Sequence, residues 1–150
     1  QQMFNAVQQH VSECEIFISA AAVADYRPTQ MAENKVKKSA DSLNIELERT
    51  EDILAHVAAL PQPPFTVGFA AETNQVVEYA REKLQRKKLN MIAANQVGHA
   101  LGFEQDDNAL TVLWKDGEQY LPRCSKIELA QQLVMLISQH FHAERAAKPL

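Results

Sequence analysis

The sequence has few of the residues that mark several common protein classes. Its two cysteines, Cys14 and Cys124, lie far apart and form no Cys-X-X-Cys pair. They fit a reducing compartment and do not indicate a disulfide framework. The five histidines show neither His-X-X-X-His spacing nor a Cys/His ligand pattern. A metal site built from protein ligands is therefore not predicted.

Glycine is also scarce. The four glycines, at positions 68, 98, 102 and 117, form no Gly-X-Gly-X-X-Gly turn. A dehydrogenase or methyltransferase of Rossmann-like fold is one alternative function, and it needs a glycine-rich turn after its first strand. The absence of that turn disfavours this class.

Two further absences bear on partners and location. The 15 basic and 19 acidic residues give a net charge of −4, without the basic excess typical of nucleic-acid binding. No run of about 18 apolar residues could span a membrane, and the first residues do not have a signal-peptide pattern. We expect a cytoplasmic protein that binds neither nucleic acid nor membranes.

Helical and strand patterns alternate along the chain. Helices are expected at residues 1–11, from Thr50 as the capping residue to about 60, from Thr73 or Asn74 to about 88, and from a Ser125/Glu128 capping box to about 140. Residues 26–42 read as irregular and residues 144–150 as a frayed tail. Strands are predicted at 15–23, 44–48, 65–71 and 90–95, with a hairpin around Asp116-Gly117.

Buried apolar strands separated by helices predict an α/β fold. We expect a Rossmann-like, doubly wound and mostly parallel sheet with helices on both faces and an antiparallel hairpin at one edge. The 150 residues fit a single domain. The chain opens inside an amphipathic helix, and three buried strands would leave an unprotected edge. We therefore expect residues 1–150 to be one domain that is incomplete at its N-terminal side.

The strongest candidate site begins at Asp25, which follows the predicted strand 15–23. Lys35, Lys37 and Lys38 come shortly afterwards on a polar segment. A carboxylate at the carboxyl end of a parallel strand, with lysines above it, can hold a nucleotide phosphate and its metal. The alternatives remain a turn aspartate and a solvated basic surface.

Later segments supply compatible groups. Lys83 and Lys87 are four residues apart and share a helix face, where they could grip a triphosphate or be surface charges. Phe69, after Gly68 near a strand end, could stack on a base or pack in the core. Asn95 ends the third buried strand and could face the ligand or cap a loop.

These segments resemble bacterial phosphopantothenoylcysteine synthetase, the CTP-dependent half of the bifunctional coenzyme A biosynthesis protein. The resemblance reaches about Ile137, and several ordered motifs are more specific than one glycine motif. The motifs are Ala-Ala-Val-Ala-Asp-Tyr at 21–26, Lys-Val-Lys-Lys at 35–38, Thr-Glu-Asp-Ile-Leu at 50–54, Gly-Phe-Ala-Ala-Glu-Thr at 68–73 and Ala-Ala-Asn at 93–95.

The resemblance implies a ligase. CTP with Mg²⁺ would activate 4′-phosphopantothenate as an acyl-cytidylate, and the amine of L-cysteine would then displace CMP. It also implies a homodimer in which a flap bearing the lysine loop crosses the interface. Lys35 is implied as catalytic, and the implied nucleotide contacts are Asp25, Lys35, Glu51, Asp52, Ile53, Leu54, Phe69, Lys83 and Lys87. Glu51 and Thr50 depart from the family's usual Asn-Pro at this point.

The family also has groups that this sequence lacks. These are a glycine-containing phosphate loop, the asparagine that steadies the acyl-cytidylate, and a decarboxylase half that uses FMN. We therefore expect no FMN here and little or no ligase activity from the 150 residues alone. The alternative function is a non-catalytic module that binds a nucleotide or forms a dimer.

Overall fold

The computed structural model describes residues 1–30, 44–97 and 106–147. In chain order the elements are α1 (Gln2–His10), a 3-10 turn (Val11–Glu13), β1 (Ile16–Ile18), β2 (Tyr26–Pro28), β3 (Leu47–Arg49), α2 (Ile53–Ala58), β4 (Phe65–Glu72), α3 (Val76–Arg86), β5 (Met91–Gln96), β6 (Asp107–Trp114), β7 (Gly117–Ser125) and α4 (Lys126–Ala147). Strands and helices alternate from α2 to β5, and the β6–β7 hairpin then precedes the last helix.

Five strands form one sheet in the order β1-β4-β5-β6-β7. The first three are parallel, and the β6–β7 hairpin continues the sheet in antiparallel fashion. Strands β2 and β3 form a separate antiparallel ribbon. The expected α/β sheet with an edge hairpin is confirmed.

Helices cover both faces of the sheet. Side chains along a strand alternate between the two faces, so the apolar strands present side chains to helices on each side. In β5, Met91 and Ala93 pack toward α4 together with Leu133, whereas Ile92 and Ala94 pack toward α2 and α3. The strand is buried on both sides, which is why its sequence reads as a continuous apolar run. A smaller cluster joins α1 to α2.

The first predicted strand is much shorter than expected. Residues 15–23 were predicted as one buried strand, but β1 pairs with β4 only over three residues. The last bond is donated by the Ser19 N–H to the Val67 carbonyl at 2.9 Å, and residues 20–24 are exposed. Alanine side chains offer little apolar area to bury, so nothing holds this stretch against the sheet.

The segment after Asp25 is also more regular than predicted. Tyr26–Pro28, expected to be irregular, forms β2 and pairs with β3. Arg27 and Glu48 lie opposite each other and their side chains are 2.7 Å apart. The strand expected at 44–48 is β3, displaced to Leu47–Arg49 and exposed throughout. The pairing joins segments about twenty residues apart, so local patterns did not reveal it.

Two of the predicted helix starts are wrong and one is confirmed. Asp52, not Thr50, caps α2, and Gln75 precedes α3 in a left-handed conformation without a side-chain cap. At α4, the Ser125 hydroxyl accepts a bond from the Glu128 N–H at 3.3 Å. The Ser125 N–H and hydroxyl both donate to the Glu128 carboxylate, which completes the capping box.

Residues 144–147, within the C-terminal segment expected to fray, are helical, and residues 148–150 lie outside the described residues. Helix α4 continues to Ala147, and two residues near its C-terminal end contact residues at the amino ends of the parallel strands. Asn90 donates to the Glu144 carboxylate at 2.7 Å, and Arg145 pairs with Glu15. These partners precede β5 and β1, and they offset the fraying of a terminal turn.

Strand β7 is one of the two edge strands of the described sheet, the other being β1. Pairing with β6 shifts register between Asn108 and Leu110, so Pro122 lies at an irregularity of the edge strand. Proline has no N–H to donate, and edge strands at bulges tolerate it for that reason. In the part of the chain that the structure describes, no helix is long and apolar enough to cross a membrane.

Candidate functional site

A cleft of about 400 Å³ lies at the carboxyl ends of β1, β4 and β5. This is the edge where open α/β sheets bind their ligands. The lining comes from the segment after β1, the start of α2, the ends of β4 and β5, and the last turns of α3. It consists of Ser19, Ala20, Ala21, Ala22, Val23, Ala24, Asp25, Thr50, Glu51, Asp52, Ile53, Leu54, Phe69, Ala71, Lys83, Lys87, Asn95 and Val97.

Asp25 is held in the cleft wall by Thr50. The Thr50 N–H donates to the Asp25 carbonyl at 3.0 Å, and its hydroxyl donates to the Ala24 carbonyl at 2.5 Å. These two bonds tie the end of the alanine segment to the end of β3. Thr50 thus fixes the backbone around Asp25, a role that the sequence analysis missed when it assigned Thr50 to a helix cap.

The start of α2 forms a second wall. Asp52 is the N-cap, and its Oδ1 atom accepts a bond from the Ala55 N–H at 3.0 Å. Leu54 is buried and packs where Gly68 leaves room on β4. A Cβ atom at Gly68 would lie 2.9 Å from Leu54 Cδ2, closer than packed side chains allow. A side chain at position 68 would therefore require the Leu54 and Leu89 side chains to shift.

Lys87 reaches this wall from α3. Its Nζ atom lies 2.7 Å from Asp52 Oδ2, and the lysine side chain is 17% exposed, against 50% for the aspartate. Partial burial raises the pKa of Asp52, but the Lys87 hydrogen bond, the Ala55 N–H and the charges of Lys87 and Arg86 outweigh it. The net effect is a lowered pKa, so Asp52 is ionised at neutral pH.

Lys83 lies one turn earlier on the same face. Its Nζ atom is 3.7 Å from Glu72 Oε1 at the end of β4. The two lysines among the described lining residues are thus each close to a carboxylate. Helix α3 ends at Arg86 with Lys87 as its C-cap, and Lys88 adopts a left-handed backbone with φ of 55°. Leu89 then donates its N–H back to Leu84, which closes the helix end and fixes Lys87.

An aromatic ring and an amide complete the cleft. Phe69 is partly buried against the α4 side of the core and also lines the cleft. Asn95 faces the same cleft from the end of β5. The cleft therefore contains one aromatic surface, cations and carboxylates, a set that can contact a base and a polyphosphate.

The structure brings most of the predicted site residues together. Asp25, Phe69, Lys83 and Lys87 line one cleft with the whole segment 51–54. Lys35, predicted as catalytic, and its neighbours Lys37 and Lys38 lie outside the described residues. Ser19 and Thr50 also line the cleft, although the sequence analysis did not assign them to it, because short polar side chains next to a strand end carry no distinctive signal.

The described ranges 1–30, 44–97 and 106–147 contain no group of three or more His, Cys, Asp or Glu side chains that could hold a metal ion. Asp25 and Glu51 do place carboxylates along the cleft. Mg²⁺ commonly binds one or two carboxylates together with substrate phosphates, so these residues fit an ion that arrives with a nucleotide.

A second cavity of about 480 Å³ lies at the amino ends of β1 and β4, opposite the cleft. It is lined by the residues that precede β1 and β4 and by the last turns of α4. Cys14, Glu15 and Arg145 contribute to its wall. Among the described residues that line this cavity there is no lysine, and its Arg145 pairs with Glu15.

Comparison with known proteins gives a consistent family. The family described as DNA/pantothenate metabolism flavoprotein C-terminal domain matches residues 1–141. The chain is 52% identical over 142 residues to the coenzyme A biosynthesis bifunctional protein CoaBC of Vibrio cholerae, covering 92% of this chain and 36% of that protein. It is 48% identical over 139 residues to the Escherichia coli K12 protein of the same name, covering 89% and 34%.

Solved structures agree. A crystal structure of the CoaBC C-terminal domain matches with a TM-score of 0.76 and 37% identity, over 95% of this chain and 63% of that one. The DNA/pantothenate metabolism flavoprotein of Streptococcus pneumoniae matches with a TM-score of 0.73 over 92% and 69%, and its 20% identity supports the fold alone. The chain spans about a third of the length of the curated relatives.

Proposed function

Because the chain belongs to the DNA/pantothenate metabolism flavoprotein C-terminal domain family, we propose that it is the phosphopantothenate–cysteine ligase part of a coenzyme A biosynthesis protein. The observation that carries the proposal is the single cleft that joins Asp25, segment 51–54, Phe69, Lys83 and Lys87. These groups come from four separate parts of the sequence, and all of them were expected to contact CTP.

The proposed reaction has two steps. A carboxylate oxygen of 4′-phosphopantothenate attacks the α-phosphorus of CTP, the bond to the β-phosphate breaks, and pyrophosphate leaves. The amine of L-cysteine then attacks the acyl carbon, loses a proton and expels CMP, which leaves an amide. Neither step needs a nucleophile from the protein, so charge neutralisation and positioning are the main contributions of the chain.

Each cleft residue has a role in this proposal. Lys83 and Lys87 neutralise the triphosphate as negative charge moves toward pyrophosphate. Phe69 provides a surface on which the cytosine ring stacks. Asp25 and Glu51 are the carboxylates that would hold Mg²⁺ carried by CTP. When bound, Mg²⁺ would supply further neutralisation of the phosphates. The proposal includes no FMN.

The ribbon of β2 and β3 connects Lys35 to the cleft in this proposal. Asp25 directly precedes β2 and Thr50 directly follows β3, so both ends of the ribbon are anchored at the cleft wall. Lys35 belongs to the segment between the two strands. We therefore retain it as the proposed catalytic lysine, acting on the triphosphate from the flap.

The same ribbon is the proposed homodimer contact. Tyr26 in β2 and Leu47 in β3 are 50% and 56% exposed, and Ile45, two residues before β3, is 62% exposed. Several large apolar side chains exposed together on a two-stranded ribbon mark an interaction surface. A second copy of the chain is the partner that the family resemblance implies. A cytoplasmic location is part of the same proposal.

Nucleotide calorimetry and product release test the function. We expect the chain to bind CTP with Mg²⁺ more tightly than ATP, and Lys83→Met to weaken CTP binding about tenfold, since one charge-assisted phosphate contact is lost. The matched control is Lys115→Met, which removes an exposed lysine at the hairpin turn and should leave binding unchanged.

Pyrophosphate release with CTP, 4′-phosphopantothenate and L-cysteine is measured in parallel. We expect little or no release from the 150-residue chain, because the family resemblance implies groups that this chain lacks. Normal turnover by the chain alone would refute this expectation. Equal affinity for CTP and ATP, or no effect of Lys83→Met, would contradict the proposed nucleotide site.

A further inference from the structure

Each of the two lysines among the described lining residues has a carboxylate beside it. Lys87 contacts Asp52 at 2.7 Å and Lys83 approaches Glu72 at 3.7 Å. An anion that enters the cleft must therefore share or replace these carboxylates. The positive charge offered to a phosphate is smaller than the lysine count suggests, because each cation has a counter-ion beside it.

Asp52 is placed so that Lys87 can leave it without unfolding α2. Its Oδ1 atom caps the helix through Ala55, and its Oδ2 atom takes the lysine. The capping bond holds the carboxylate in position whether or not Lys87 is present. The flexible lysine stem can swing its ammonium group toward a phosphate and back, whereas the aspartate stays fixed.

We propose that Asp52, and Glu72 more weakly, act as resident counter-ions that compete with polyphosphate for Lys87 and Lys83. This deepens the proposed function, since in that reaction pyrophosphate must leave the cleft after the first step. The lysines exchange carboxylate for phosphate when the triphosphate enters and return to the carboxylates when pyrophosphate departs. Asp52 is in this sense a positioning residue that lowers the affinity for product.

The direction of the change in anion affinity distinguishes a counter-ion role for Asp52 from a structural role. Damage to the site should weaken anion binding, whereas removal of a competing counter-ion should strengthen it. Asp52→Asn is the sharpest variant, because asparagine also caps helices well and only the charge is lost. We expect it to bind inorganic pyrophosphate about fivefold more tightly than the unmodified chain, the size of a close, partly exposed ion pair.

A double-mutant cycle tests whether Lys87 carries the effect. In a Lys87→Met background, Asp52→Asn should change pyrophosphate affinity by less than about twofold, since no ion pair remains to be broken. Simple repulsion between Asp52 and phosphate would instead persist in that background. Glu15→Gln is the control, because it removes one negative charge and one ion pair at the opposite edge of the sheet.

Calorimetric titration of inorganic pyrophosphate into these variants decides the question. Tighter pyrophosphate binding by Asp52→Asn supports the proposal, including the case where only this variant binds measurably. The proposal is overturned if Asp52→Asn binds equally or more weakly, or if no variant binds pyrophosphate. It is also overturned if the gain persists in the Lys87→Met background or appears equally in Glu15→Gln. Because the probe contains no cytidine, failure of the ligase assignment would appear separately in the comparison of CTP with ATP.

Discussion

At the scale of single residues, Asp52 serves both a helix and the cleft. One oxygen caps α2 and the other binds Lys87. The ion pair depends on charge and the cap does not, so the two contributions can be separated by substitution. Asparagine keeps the cap, whereas alanine removes both.

The lowered pKa of Asp52 predicts how its contribution changes with pH. A carboxyl group whose folded pKa lies below its ordinary value of 3.8 stabilises the protein above that value and loses the effect as pH falls through the folded pKa. At pH 7 we expect Asp52→Asn to lower the free energy of unfolding by up to about 1 kcal/mol. The difference should shrink as the pH falls below about 4.

Urea denaturation at pH 7, 5, 4 and 3 measures this difference. Asp52→Ala provides the comparison, because it should lose about 1 kcal/mol more than Asp52→Asn at each pH through the missing cap. A difference between the unmodified chain and Asp52→Asn that grows as the pH falls would contradict the assignment of the ion pair.

Residue identities also show why parts of the site were predictable. Asp25, Phe69, Lys83 and Lys87 carry charge or an aromatic ring at positions where the strand and helix patterns place a ligand edge, and the structure brings them together. The Lys87–Asp52 pair was not predicted, because the two residues are 35 positions apart and meet only through the packing of α2 beside α3. Spacing along one helix cannot show such a contact.

At the scale of elements, the link between β7 and α4 is made by the capping box. Ser125 ends the strand and caps the helix, so no separate loop joins the two. This arrangement could be predicted because a capping box is a local pattern of two residues three apart. The caps of α2 and α3 were not predicted, because several polar residues precede each helix and only packing selects the one that caps.

Removal of the Ser125 hydroxyl should destabilise α4. We expect Ser125→Ala to lower the free energy of unfolding by about 1 kcal/mol, since the Glu128 N–H loses its partner at a helix start. Gln131→Ala is the control on the exposed face of α4 and should change stability by less than about 0.5 kcal/mol. Urea denaturation followed by circular dichroism measures both, and equal stability for the two variants would disprove the cap.

Strand lengths show the limit of pattern reading at the same scale. β4 and β5 were predicted closely because both of their faces are buried and their apolar runs are continuous. β1 was overestimated because alanine and valine after Ile18 look apolar although they bury little. β2 was missed since its partner β3 lies beyond a long intervening segment.

At the scale of the whole molecule, the sheet order places the cleft and the ribbon next to each other. The three parallel strands end at the cleft, and the ribbon leaves from its wall. Alternation of strands and helices was enough to predict the sheet type. It could not predict the ribbon, whose strands are exposed on both faces and depend on pairing rather than on burial.

The proposed homodimer gives a prediction at this scale. Leu47→Asp should raise the dissociation constant of the dimer about tenfold or more, because a charge would be buried in an apolar contact. Ile127→Asp is the control, since Ile127 is 74% exposed on α4, away from the ribbon. Sedimentation velocity over a range of protein concentrations measures both variants. A monomeric unmodified chain, or equal dissociation of the two variants, would rule out the ribbon contact.

Pro122 and the neighbouring register shift make the β7 side of the sheet a poor template for a visiting strand. A strand from another molecule that paired with β7 would find no N–H donor at Pro122 and an irregular backbone at the register shift. Addition of a strand through β7 is therefore disfavoured by two separate features, the proline and the register shift.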